Sequence, residues 1–212
     1  MLPTYPVHYT VERPTRFSRL QLLIRVLVFC ALGAIGVSFG LAFIVGFLAL
    51  PIFAAVRLTS RGDKPHAYVA EDGPHVISVL RWFAALSAWV GLVADELPRR
   101  SPDEIVQLDV DPDAKPTPGS ALLRLITGIP SAFVLALLGW VGAFVWLWAA
   151  LSILFTKRVG AGAFNYLVGL QRWSIRLLAY QASLVQEYPP FSFTDSVGDR
   201  LMHEPSGLRS HA

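Results

Sequence analysis

Five histidines, His8, His66, His75, His203 and His211, are the side chains best suited to metal binding or proton transfer. No two stand four apart with a carboxylate between them, the spacing that sets two zinc ligands and a base on one helix face. They read as scattered loop and tail residues. Asp109-x-Asp111-x-Asp113 resembles the opening of a calcium loop. Such a loop needs glycine at its sharp turn and a bidentate glutamate at its end, and here those places hold Ala114 and Ser120. With Pro112 and Pro116 also in the way, a solvated acidic turn is the better reading. Gly160 and Gly162 in GAGAFN lack the glycine pattern and the βαβ setting of a phosphate loop and read as a helix breaker. Arg61-Gly62-Asp63 is an adhesion tripeptide by composition only. Cys30, the single cysteine, lies in an apolar run with no histidine nearby. It supports neither an intramolecular disulfide nor a Cys/His nucleophile. No catalytic residue, metal site or cofactor is expected, and the chain is not expected to be an enzyme.

What carries this sequence is apolar surface. Of 212 residues 54% are apolar and 16% charged, with a mean hydropathy of +0.50. A soluble domain has roughly 25% charged residues, so an ordinary soluble protein, a disordered chain and a disulfide scaffold are excluded. The net charge is +3. The Lys and Arg sit in linkers and at helix ends, which fits the cytoplasmic bias of membrane-protein loops better than nucleic-acid binding. No cleavable signal peptide is expected, because the first apolar run is far longer than a signal core.

Val26 to Val56 and Leu125 to Thr156 carry no charge. As one straight helix each would measure about 46–48 Å at 1.5 Å per residue, against a bilayer core of about 30 Å. Each is therefore expected to form a transmembrane helical hairpin, about 20–58 and about 121–156. The turns should fall at Gly33, Gly36 and Gly40, and at Gly139 and Gly142. The same glycines offer small surfaces for helix packing. A tilted or re-entrant helix is the competing reading. A third helix follows each hairpin, about 75–97 and about 163–187. In the latter Asn165, Gly169, Arg172, Arg176, Ser183 and Glu187 share one strip, the pattern of an amphipathic helix lying in the interface. The former is more apolar and fits either the interface or a span. Before each hairpin apolar residues alternate: Tyr5, Val7, Tyr9, Val11, and then Val106, Leu108, Val110. Two such strands predict a paired, two-stranded ribbon.

The parts recur. Val7-x-Tyr9-x-Val11 matches Val106-x-Leu108-x-Val110, and Arg25 matches Arg124, at an offset of 99. Arg81-Trp82 matches Arg172-Trp173, and Glu96-Leu97-Pro98 matches Glu187-Tyr188-Pro189, at an offset of 91. The fold expected is an all-α integral membrane protein of two tandem repeats, each a short strand, a hairpin and a third helix. The first repeat covers 1–98 and the second 105–193, with a linker over 99–120 holding the second strand at about 105–111, and a disordered tail over 194–212. Two crossings per repeat would put Arg13, Arg16, Arg19, Arg57, Arg61, Lys64, Arg99, Arg100, Lys115, Lys157 and Arg158 on one side; three would split them and invert the second repeat. Four spans with both termini in the cytoplasm follow.

Arg25 and Arg124 each sit about one turn inside an apolar run, where charge is costly unless it snorkels or pairs. Snorkelling to phosphates is one reading; pairing with Glu96 and Glu187 is the other. Arg81, Trp82, Arg172, Trp173, Arg176 and Tyr180 form an aromatic and basic belt suited to anionic headgroups.

The segment LFTKRVGAGAFNYLVGLQRWSIRLLAYQASLVQEYPPFSF resembles a family of bacterial membrane proteins known as domain of unknown function 4389. The resemblance rests on Phe155, Thr156, Arg158, Arg172, Trp173, Arg176, Ala179, Tyr180, Glu187, Tyr188, Pro189, Pro190 and Phe191. Tyr5-Pro6-Val7 and Arg81-Trp82 match more loosely. Lys157 and Val159-Gly160 depart from the Gly and Tyr-Pro of the family pattern. The resemblance implies a small bacterial inner-membrane protein and brings no activity. From the residues, a structural or accessory subunit of a membrane complex is expected, touching anionic lipid and a protein partner or further copies of itself. A small oligomeric transporter or channel is the alternative, and a lipid-acting enzyme a third reading.

Overall fold

A computed structural model describes residues 5–34, 39–62 and 64–193. The chain is mostly helical, with one small sheet. Strand β1 (Val7–Thr10) leads into α1 (Arg19–Ala34) and α2 (Phe39–Ser60). The short α3 (Pro65–Ala67) passes through a π turn, Tyr68–Asp72, into α4 (Gly73–Val90). A 3-10 turn at Pro102–Glu104 precedes β2 (Gln107–Val110), and α5 (Pro118–Thr127), α6 (Ile129–Thr156) and α7 (Ala161–Gln181) follow. The tail expected to be disordered, and Gly36, lie outside the described residues.

The predicted ribbon forms. β1 pairs antiparallel with β2, with Val7 opposite Val110 and Tyr9 opposite Leu108. These four side chains are buried, because period-two alternation turns all of them to one face. That face rests on α4 and α7.

Two helical stretches are long and apolar enough to cross a membrane, Gly40–Ser60 and Pro118–Thr156. Most of each lies on the surface of the protein, unlike the core helix of a soluble domain. On α6 one stripe of exposed side chains runs through Phe133, Leu137, Trp140, Phe144, Trp148 and Phe155. Its opposite stripe, Ser131, Leu135, Gly142, Ala149 and Ile153, is buried. Both stripes are lined almost wholly by apolar groups, so the outer one needs an apolar medium.

The second hairpin does not turn at its expected glycines. α6 runs unbroken through Gly139 and Gly142 for 28 residues, about 42 Å at 1.5 Å per residue. A helix-interior glycine costs about 1 kcal/mol, less than leaving backbone groups unpaired in an apolar medium. Gly142 serves close packing instead: a Cβ there would lie 3.0 Å from Leu170 Cδ2. α5, with 10 residues, is half the ~20 a span requires. In the first stretch α1 ends at Ala34 and α2 starts at Phe39, so the break falls between Gly33 and Gly40, with 35–38 outside the described residues. The helices also choose different partners. α2 packs on α5, with Ala54, Ala55 and Leu58 against Ala121. α1 lies along the second half of α6, with the Phe29 and Trp146 rings 5.3 Å apart. Phe17 N donates to Lys157 O at 2.8 Å, so the start of α1 meets the end of α6.

The third helices end earlier than expected, at Val90 and Gln181. α7 is not an interfacial helix. Phe164, Leu167, Val168, Trp173 and every residue from Ile175 to Gln181 are buried, because α2, α4, α6 and β1 cover it on several sides. A polar strip on a helical wheel does not say whether water or other polar groups face it, and here the ribbon backbone does.

Candidate functional site

The two third helices finish on the same backbone motif. At the end of α4, Gly91 N donates to Ser87 O, Leu92 N to Trp89 O and Val93 N to Ala88 O. At the end of α7, Ala182 N donates to Leu178 O, Ser183 N to Tyr180 O and Leu184 N to Ala179 O. Leu92 and Ser183 take left-handed φ values of 58° and 56°. Such a turn stops a helix and leaves the next carbonyls free to be capped from elsewhere.

Arginines do the capping. Arg25, 0% exposed, donates from Nη2 to Ala94 O and Asp95 O, both at 2.6 Å. Its guanidinium lies 5.3 Å from the Trp89 ring centre. Arg124, 7% exposed, donates from Nη1 to Val185 O at 2.7 Å and to Tyr180 O. It lies 4.3 Å from the Tyr180 ring centre. Ala94 and Val185, and Trp89 and Tyr180, are 91 apart, the offset read in the sequence. The expected pairing with Glu96 and Glu187 is not what the structure holds. Both glutamates are exposed, and the arginines turn to backbone carbonyls, whose partial charge is matched without desolvating a carboxylate. Arg25 has a carboxylate neighbour, but it is Asp95, at 3.7 Å.

A second arginine pair holds the ribbon. Arg172 Nε donates to Tyr9 O at 3.1 Å, and Arg81 Nε to Leu108 O at 3.1 Å. Arg172 also donates to Phe193 O, and Arg176 Nε to Val7 O at 3.4 Å. Trp173 and Tyr180 are buried. The headgroup belt is therefore corrected. Arg172, Trp173, Arg176 and Tyr180 face inward, because strand carbonyls on the covered side of a two-stranded ribbon need donors. Arg81 and Trp82 stay partly exposed.

Outside the membrane-length helices, Asp72 gathers cations. Arg57 reaches its Oδ1 through Nε at 2.9 Å and Nη2 at 2.6 Å, and Arg61 Nε reaches its Oδ2 at 2.9 Å. Arg61 also pairs with Glu71, which accounts for the first residue of the Arg-Gly-Asp sequence. Burial opposes ionisation of Asp72, but the hydrogen bonds from Arg57 and Arg61 outweigh it and hold the carboxyl below its usual range. No cluster of three or more metal-ligating side chains occurs among the described residues. His66 and His75 are exposed.

A half-open cavity of about 290 Å³ lies at the start of α5, lined by Lys115, Thr117, Ser120, Arg124 and Tyr180 among others, with Leu123 and Gln186 on its walls. Thr117 caps the helix, its Oγ1 accepting from Ser120 N while Thr117 N donates to Ser120 Oγ at 2.8 Å. Lys115 and Gln186 carry no signal of their own in the sequence; only the offsets lead to them.

The segment closing on Tyr188 Oη, 2.7 Å from Ser131 Oγ, and on Phe191, edge-on to Trp173 at 5.2 Å, is the one that carried the family resemblance. Residues 118–192 match DUF4389, a domain of unknown function. The DUF4389 match covers α5, α6, α7 and the Glu-Tyr-Pro-Pro-Phe segment, and leaves the first half of the chain outside it. Lys157, at the end of α6, has φ 59°, a conformation glycine adopts without strain. No curated protein and no solved structure matches the chain.

Proposed function

We propose that the protein is a non-enzymatic structural or accessory component of a bacterial inner-membrane complex, built from two copies of one unit. The observation that carries this reading is the division of its surface. The outer faces of α1, α2, α5 and α6 are apolar along their length. Arginines of α4 and α7 hold carbonyls of the ribbon, at Leu108, Tyr9 and Val7. Such a body presents a rigid cap and an apolar flank, which suits packing against lipid and neighbouring subunits.

The ribbon also bears on topology. Strands that hydrogen-bond cannot lie on opposite sides of a bilayer, so β1 pairing with β2 supports an even number of crossings between Thr10 and Gln107. Arg172 on Tyr9 O supports an even number between β2 and α7. Both favour units of the same orientation over an inverted second unit; the cytoplasmic placement of the termini rests on the basic residues. In the second half α6 is one unbroken helix, so an even number there requires α5, which adjoins it at Gly128, to make the other passage together with its flanking residues. Reporters fused at Gly62, Lys115 and Gly160 are expected to be cytoplasmic; an external reporter at any of the three would overturn this topology.

The functional reading is tested by extracting the tagged chain in native-lipid discs and identifying stoichiometric companions. A reproducible partner at fixed ratio is the expected result. A lone particle with no partner protein would overturn the accessory role.

A further inference from the structure

The two arginine clamps differ in one respect, and the difference marks a site. In the first half, the start of α1 already holds an anion. Asp95 accepts from Ser18 N through Oδ1 at 3.0 Å and Oδ2 at 3.1 Å, and lies 3.7 Å from Arg25. Carried across by the sequence offsets, Ser18 becomes Thr117, Arg25 becomes Arg124, Arg16 becomes Lys115, and Asp95 becomes Gln186. The second half thus keeps the cations and has no carboxylate at position 186; the carboxylate beside it is the exposed Asp113, whose Oδ1 accepts from Gln186 N at 3.1 Å. The cavity of about 290 Å³ opens where that carboxylate would act, with Gln186 on its wall.

We propose that this cavity binds the phosphate group of an anionic phospholipid, an external anion in the role that Asp95 fills in the first half. The donors are at hand. Arg124 uses Nη1 for the clamp; its Nε and Nη2 have no hydrogen-bond partner among the described residues, and the residue lines the cavity. Lys115 is exposed at the rim. Thr117 N, the counterpart of Ser18 N, is taken by Ser120 Oγ, so the phosphate's charge falls to Lys115 and Arg124, with the positive end of the α5 dipole beside them. A phosphate in solution and a lipid phosphate share this chemistry. The wall favours the lipid: Leu123 is 56% exposed and continues into exposed Leu122 and Ile126, an apolar path for glycerol and acyl groups next to an anion site. The inference rests on the membrane reading of these helices.

The test uses the full chain in discs of neutral phosphatidylcholine, with thermal unfolding followed as phosphatidic acid or phosphatidylglycerol is added. Three proteins are compared: wild type, Lys115→Gln and Gln186→Asp. The wild type is expected to gain stability with anionic lipid. Lys115→Gln, on the rim and outside the clamp, should bind about tenfold more weakly, the loss of one charge-assisted contact. Gln186→Asp should unfold at a higher temperature without anionic lipid and respond little to its addition, because it supplies the carboxylate internally. An anionic-lipid response of wild-type size in Gln186→Asp would overturn the proposal, as would no response in the wild type. Glycerol 3-phosphate or inorganic phosphate reproducing the full response would overturn the lipid assignment. Flotation with neutral vesicles separates the two readings: failure of all three proteins to float defeats the membrane reading, whereas equal flotation without anion response defeats only this site.

Discussion

Tyr9 and Leu108 face each other across the ribbon, and the carbonyl of each accepts from an arginine Nε at 3.1 Å. Arg172, from the second half, holds the first strand, and Arg81, from the first half, holds the second. The bonds cross between halves, so each half completes the other.

Removing these bonds should cost unequal amounts. Arg172 is bound to two carbonyls, Tyr9 O and Phe193 O, and Arg172→Ala leaves both without that donor. A loss of about 3 kcal/mol is expected. Arg81 is partly exposed, water can replace it, and Arg81→Ala should cost about 1 kcal/mol. Chemical unfolding of the two variants checks the order; equal losses would contradict it.

The clamp at Arg25 uses carbonyls and Asp95, not Glu96. Arg25→Met should destabilise by about 3 kcal/mol, because Ala94 O and Asp95 O lose their donor. Glu96→Gln and Glu187→Gln, both on the surface, should stay within about 0.5 kcal/mol of the parent. Melting temperatures of the three variants decide between carbonyl capping and a glutamate ion pair.

Glycine substitutions should have opposite signs. A Cβ at Gly128 would meet Gln181 Nε2 and come within 2.9 Å of the Phe47 ring. Gly128→Ala is expected to cost about 1–3 kcal/mol. At Gly139 the same probe meets nothing, and Gly139→Ala should gain about 0.5–1 kcal/mol from helix entropy. A loss at Gly139 comparable to that at Gly128 would mean that it turns the chain after all.

Acid should loosen the end of α2. The Asp72 carboxyl titrates lower in the folded protein than in the unfolded chain, where Asp titrates near about 3.9. Its contribution is therefore complete above that value and is lost as pH falls through the lower folded value. Asp72→Asn should flatten the acid limb of the stability profile while leaving a deficit at neutral pH. An unchanged slope below about pH 4 in the variant would show that other carboxylates carry that limb.

The ribbon was legible because Tyr9 and Leu108 sit in runs alternating with polar residues, a pattern only a half-buried strand satisfies. The clamp positions Arg25 and Arg124 were legible from the offsets, but their partners were not. Carbonyls such as Val185 O have no letter in a sequence, and they become acceptors only because Leu92 and Ser183 turn left-handed. Gly139 and Gly142 misled for a related reason. A glycine marks where a chain is free to turn or where another side chain comes close, and Leu170 against Gly142 is the second case. The placement of Arg172 on the inside could not be read from its wheel position, since strand carbonyls make a polar neighbour as water does.

The crossed bonds also set an order of assembly. Tyr9 leaves the ribosome 163 residues ahead of Arg172, which caps its carbonyl. α1, α2 and α6 are thus synthesised while the first strand still waits for its last donor. The strands can pair as soon as β2 is made, but Tyr9 O and Val7 O receive their arginine donors only with the final helix, and a chain truncated before α7 keeps its apolar segments with those two carbonyls uncapped.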